Sequence, residues 1–157
     1  HAAGFKNNPG DKVKVIFIPS YLTGDDGIVN KPYYETLIGF DATAFPSYYE
    51  PWGYTPLESI AFGIPTITTD LSGFGQWARS AGKEGIENTG VVVLHRTDSN
   101  FGEVADNLAS TVKSLSEVSE KEKQKIAKSA LAMARKAHWA HFIKYYLEAY
   151  DMALNKK

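Results

Sequence analysis

Residues 49–75 read YEPWGYTPLESIAFGIPTITTDLSGFG, a helical segment followed at once by a short strand. The stretch 55–62 carries its apolar positions at helical spacing and closes on Gly63. Residues 66–69 (TITT) are all β-branched, are entered through Pro65 and leave through Asp70-Leu71-Ser72-Gly73. The same alternation extends outward. Residues 42–45 predict a strand ended by Pro46-Ser47, and 13–18 (VKVIFI) a strand stopped by Pro19-Ser20. Between them Pro32 sits where a first helical turn accepts it, ahead of a short helix over 33–40. Downstream, 77–81 predicts a helix and 90–94 (GVVVL) a fourth strand. Near-continuous apolar strands separated by short helices argue for an α/β fold with a parallel sheet covered on both faces.

From residue 101 the pattern is helical almost to the end, with three helices at about 101–115, 120–137 and 140–155. Ile126, Ala130, Leu131, Met133, Ala134 and Ala137 fall on one face; Phe142, Tyr145, Tyr146, Ala149, Met152 and Ala153 do so in the last helix. The charged run 117–128 reads as a helix start with a solvated face. Residues 1–157 are expected to form a single domain with a helical tail over about 101–157. The first residue is His1, not Met, so the chain reads as processed or trimmed, a piece of something longer.

Composition excludes several classes. The 157 residues are 43% hydrophobic and 22% charged, enough for a core without staples. There is no Cys, hence no disulfide framework, thiolate metal site or thiol nucleophile. Seventeen Lys+Arg against 18 Asp+Glu leave a net charge of −1, which gives no pull toward nucleic acid or anionic lipid. No run approaches a membrane span or a secretory signal. The expected location is cytoplasmic. His138 and His141 lie three apart in the tail with no third ligand in view, so no metal site is expected.

Ligands of a parallel α/β sheet gather beyond the carboxyl ends of the strands. Those ends hold Pro19-Ser20-Tyr21, Pro46-Ser47-Tyr48-Tyr49-Glu50, Asp70-Leu71-Ser72-Gly73 and His95-Arg96. Thr55-Pro56-Leu57-Glu58 has the form of a capping box with proline at the first helical position. The amides left over in such a turn, at the positive end of the helix, make an anion seat, and Gly53 lets a ligand approach the backbone. A structural cap and a phosphate seat both satisfy this pattern. Glu50 and Glu58 frame the turn with seven residues between them. They fit a catalytic acid pair, a cap, or acceptors for ribose and sugar hydroxyls.

The run 46–75, PSYYEPWGYTPLESIAFGIPTITTDLSGFG, closely resembles the nucleotide-sugar site of glycogen synthases of glycosyltransferase family 3, and Glu50/Glu58 match the Glu-x7-Glu element of retaining GT-B glycosyltransferases. The resemblance extends more loosely over most of the chain. It implies a Rossmann-like sheet, the C-terminal half of a GT-B enzyme, that holds the donor. The implied reaction transfers glucose from UDP-glucose or ADP-glucose to an α-1,4-glucan with retention, the glucan being met by an N-terminal domain. No separate cofactor is implied. Carried over by position, Glu50 is catalytic and lies beside the glucose, Gly53, Tyr54 and Thr55 receive the diphosphate, and Glu58 holds the ribose. Tyr33 would stack on the base, Trp52 would shape the pocket near the sugar, and Ser72 and Gly73 lie close to the donor. Each has a plainer reading as well: Tyr33 or Tyr34 packing in the core, Trp52 wedging its loop, and 72–75 a tight turn. Two other classes stay open, a retaining transferase with another acceptor and a sugar- or nucleotide-binding module without turnover.

The chain departs from the family in two respects. Such enzymes clamp the leaving diphosphate with an Arg and a Lys upstream of the acid pair. Here the only arginines, Arg79, Arg96 and Arg135, all lie downstream, and Lys6, Lys12 and Lys14 do not match. The arginine-rich helix that binds glucose 6-phosphate in animal and fungal forms corresponds to 121–137, which holds lysines and Arg135 alone. Lysine does not reproduce bidentate phosphate recognition, so no response to that sugar phosphate is expected. Loss of the clamp should cost several kcal/mol of transition-state stabilisation. Glucosyl transfer by this chain alone is therefore expected to be undetectable in an assay with labelled donor, and appreciable turnover would refute the expectation.

Overall fold

The computed structural model describes residues 4–83 and 85–155, so His1 lies outside the described residues. Two compact units divide the chain, residues 1–39 and 40–157.

In the first unit, Asp26 organises the glycine-rich loop by accepting hydrogen bonds from the amides of Ile28, Val29 and Asn30 (2.8–3.0 Å). An isolated antiparallel bridge pairs Thr23 with Pro32, and helix α1 (Tyr33–Leu37) follows. The expected strand over 13–18 is not formed. The segment is irregular, Val13, Val15, Ile16 and Phe17 are exposed, and the Val15 backbone pairs with the Asn7 side chain (2.6 and 2.8 Å). A strand needs a ladder partner, and no named strand is present in this unit among the described residues.

The second unit holds a parallel three-stranded sheet, β1 (Thr43–Phe45), β2 (Thr66–Thr69) and β3 (Val91–Leu94), in the order β1-β2-β3. Thr43 lies opposite Thr66, which in turn lies opposite Val91. Between the strands run α2 (Tyr54–Ala61), α3 (Gly73–Ala81) and α4 (Ile86–Thr89); α5 (Phe101–Glu117), α6 (Glu120–Lys136) and α7 (Trp139–Leu154) follow. Pleating sends alternate residues of β3 to opposite faces. Val91 and Val93 pack with Ile60, Phe74, Ala78, Ala130 and Met133 of α2, α3 and α6. Val92 and Leu94 join Ile67, Val104 and Leu108 on the other face, under α5. The α/β class, the parallel sheet and the helices on both faces are as the sequence predicts.

Helix α6 is closed by a capping box: Ser119 Oγ accepts from the Glu122 amide (3.3 Å) while the Glu122 carboxylate accepts from the Ser119 amide (2.9 Å). These two hydrogen bonds explain the expected helix start within the charged run. In α7 the expected apolar face is not buried: Tyr145, Tyr146 and Met152 are exposed and only Phe142 and Ile143 are half-buried. Periodicity finds the stripe, but burial requires an opposing surface, and the second unit offers one only near Phe142. The short helix α4 carries too few residues for a periodic signal and was not anticipated.

The central strand is fully buried although three of its four residues are threonines. Their hydroxyls are tied into the neighbours. Thr43 Oγ1 lies 2.9 Å from Thr66 Oγ1 and 2.6 Å from Ser59 Oγ, Thr66 Oγ1 donates to the Ile64 carbonyl (3.1 Å), and Thr69 Oγ1 donates to the Ser47 carbonyl (2.6 Å). Each buried hydroxyl so satisfied avoids a desolvation cost of about 1–3 kcal/mol. Thr66→Val keeps the shape but removes these bonds and is expected to lower stability by about 1–2 kcal/mol in urea unfolding. Ile67→Ala is expected to cost about 2–5 kcal/mol because it leaves a cavity.

Candidate functional site

The loop leaving β1 is bound to the segment leaving β2. Glu50 and Ser72 form an isolated parallel bridge in which the Glu50 amide donates to Leu71 O (3.4 Å) and the Gly73 amide to Glu50 O (3.0 Å). The Phe74 amide then donates to Trp52 O (2.6 Å). Gly73 permits this approach, since a Cβ there would lie 2.1 Å from the Pro51 carbonyl oxygen. The Glu50 side chain is half-buried and its Oε2 accepts from Ser47 Oγ at 3.0 Å, while Ser47 is itself held by Thr69. The acid is thereby fixed above the opening of α2.

That opening differs from the expected one. Helix α2 begins at Tyr54 with Gly53 as N-cap and has no side-chain cap, so Thr55 and Glu58 do not form the expected capping box. Gly53 adopts φ 114° and ψ 80°, which turns the chain into the helix two residues early. Thr55 thus falls inside the first turn, and Pro56, at its third position, contributes no amide. A Cβ at Gly53 would also lie 3.1–3.3 Å from Pro56, Phe74 and the Glu50 carboxylate, so two constraints demand glycine. Tyr54 and Thr55 are exposed and present their amides at the positive end of the helix. Glu58 is half-buried on the next turn.

Trp52 takes the wedging role: its indole packs in a cluster with Phe74, Trp77 and Phe142 at centroid distances of 5.8–6.2 Å. The segment 72–75, expected as a loop ahead of a helix at Trp77, is already α3. Ser72 is its N-cap, fully buried, with Oγ accepting from the Gly75 amide and donating to Thr69 O (both 3.0 Å). The Ser72 hydroxyl is therefore engaged within the protein. Tyr33 belongs to the first unit, half-buried in α1, with its ring 5.2 Å from that of Tyr34. His138 Nδ1 accepts from the Ala140 amide at the start of α7, and no cluster suited to a metal ion occurs among the described residues.

The sequence places His95 and Arg96 at a strand end but gives no sign of the hub that they share. Asp70, one residue past β2, accepts from His95 Nδ1 (2.6 Å), Arg79 (3.0 Å) and the Arg96 amide (2.9 Å). Partial burial opposes its charge, yet these hydrogen bonds outweigh it and hold the carboxyl below its ordinary pKa. The Arg96 side chain, 7% exposed, lies over the Tyr48 ring at 3.6 Å and donates from Nη1 to the Pro46 carbonyl (3.3 Å). A stacked cation of this kind contributes about 0.5–2 kcal/mol. A cavity of about 420 Å³ beside β3 is lined by Arg79, Lys83, His95 and Asn107 and does not include Glu50 or the α2 turn.

The fold and these strand ends define an α/β protein that presents an acid at the mouth of an uncapped helix. The chain belongs to the glycogen synthase family: the family model matches residues 2–157. It is 31% identical over 150 residues to the glycogen [starch] synthase of Caenorhabditis elegans, covering 96% of this chain and 22% of that protein. Its identity to the glycogen [starch] synthase of Neurospora crassa is 29% over 153 residues, covering 96% and 21%. The liver glycogen [starch] synthase of Mus musculus is 50% identical over 72 residues, which cover 46% of this chain and 10% of that protein. The chain spans about a fifth of the length of the first two of these relatives.

Because the folded-state pKa of Asp70 is lowered, its contribution to stability is complete above the unfolded value, about 3.9, and is lost as pH falls through the lower folded value. Asp70→Asn is expected to cost about 1–3 kcal/mol at neutral pH. It should also flatten the acid limb of a Tm-against-pH profile, whereas an unchanged limb would contradict the assignment.

Proposed function

We propose that the chain is the donor-binding part of a glycogen (starch) synthase, a GT-B glycosyltransferase that moves glucose from UDP-glucose or ADP-glucose to an α-1,4-glucan with retention. The observation that carries this reading is the Glu50 carboxylate fixed beside Gly53 at the uncapped start of α2, in a chain of this family. The amides of Tyr54 and Thr55 receive the diphosphate, and the helix dipole stabilises the negative charge that gathers on it as it leaves. Glu50 faces the hexose, where a carboxylate favours the positive charge developing at the anomeric carbon. Glu58, one turn further, accepts from the ribose hydroxyls, and Tyr33 stacks on the base. Trp52 shapes the sugar side from within its aromatic cluster. Ser72 and Gly73 bound the site through their backbone, since the Ser72 hydroxyl is already engaged.

In this reading the glucan is met by a further domain of a longer enzyme. A cytoplasmic location fits, and no described helix is long and apolar enough to cross a membrane.

Isothermal titration with UDP, ADP and UDP-glucose tests the reading. The chain is expected to bind at least one nucleotide, and Glu58→Ala to weaken that binding about tenfold or more through loss of charge-assisted hydrogen bonds. Binding of glucan with no nucleotide binding would instead favour a carbohydrate module.

A further inference from the structure

The loop 46–50 carries Glu50, and within it Ser47 holds the Glu50 carboxylate at 3.0 Å. Tyr49 is 82% exposed and Tyr48 keeps one ring face covered at 54% exposure, while further holds on the loop come from elsewhere in the unit. Thr69 and the Ser72 bridge hold it from the β2 side. A further anchor comes from β3: Arg96, two residues past it, donates from Nη1 to the Pro46 carbonyl and stacks its guanidinium on the Tyr48 ring. Both of these side-chain contacts are to the loop.

The anchor is an expensive one. Arg96 is 7% exposed, no carboxylate lies within ion-pair distance of it among the described residues, and its buried Nε has no hydrogen-bond partner. A cation buried without a counter-charge costs free energy, and a well-packed apolar side chain would serve a purely structural purpose better. What an apolar residue does not supply is a planar donor that grips a carbonyl and a ring face together.

We propose that Arg96 is a positioning residue for Glu50. By fixing Pro46 and Tyr48 it sets the direction in which the chain reaches Glu50, and so the placement of the carboxylate against the hexose of the donor. The proposal rests on the reading that Glu50 faces that hexose.

The test compares UDP with UDP-glucose, and ADP with ADP-glucose, by titration of the chain, together with amide hydrogen exchange by NMR. In Arg96→Gln the ratio of sugar-nucleotide to nucleotide affinity is expected to change about fivefold or more, with nucleotide affinity held within about twofold. The Glu50 amide is expected to exchange faster while the amides of β2 stay protected. Arg96→Lys, which has no planar fork, should not restore the ratio. Tyr48→Leu alters an exposed side chain, so it reports even where a change at Arg96 prevents folding; it should reproduce the effect, and Tyr48→Phe, which keeps the ring face, should rescue it.

An unchanged ratio in Tyr48→Leu and in folded Arg96→Gln, or nucleotide and sugar nucleotide weakened in equal proportion, overturns the proposal and leaves the donor-site reading standing. Failure of the unaltered chain to bind any nucleotide removes the donor-site reading itself, and the proposal with it.

Discussion

The constraint on which the site depends is the close pairing of two strand-end segments, Glu50 to Trp52 against Ser72 to Phe74. A backbone oxygen at residue 51 occupies the space that any side chain at Gly73 would fill. The hydrogen bonds that the Gly73 and Phe74 amides donate across this approach set the height of Glu50 over α2 and the point at which Gly53 turns into the helix. Sheet and site are one construction here, because the residues that end β1 and β2 are also those that present the acid and the helix mouth.

Polar groups inside the unit are arranged to the same end. A central strand of threonines sacrifices some apolar burial, but its hydroxyls reach the carbonyls of Ile64, Phe45 and Ser47 and so carry order from the sheet into the loop above it. Asp70 performs the corresponding task on the side of β3, gathering His95, Arg79 and the Arg96 amide around one carboxylate. Hydroxyls bonded to the neighbouring backbone and a carboxylate with three donors are inexpensive to bury. The Arg96 guanidinium, with no carboxylate within ion-pair distance among the described residues, is the exception.

Much of this was legible beforehand. The β-branched run TITT, the GVVVL strand and the short helix before Gly63 are strong local signals, and each element formed within a residue or two of its expected span. The Glu50/Glu58 spacing singles out this turn in the sequence alone. Less legible was the role of each residue in it. The pattern Thr-Pro-Leu-Glu satisfies the rule for a capping box, but the helix started at Tyr54 because Gly53 could take a left-handed turn that a local rule does not weigh. That Ser72 caps a helix and Gly73 forms a contact between segments depends on a carbonyl more than twenty residues away, which the local pattern does not reveal.

The sequence by itself determined the class of fold, the strands and long helices of the second unit and the spacing of the acid pair, since periodicity, turn residues and spacing are local properties of the chain. Tertiary structure alone decided that 13–18 goes unpaired, that the face of α7 stays exposed, and that Asp70 and Arg96 share the strand ends with Glu50. These outcomes depend on partners distant in sequence: a strand requires a ladder, an apolar stripe requires an opposing surface, and a buried charge requires donors or a ring brought to it by the fold.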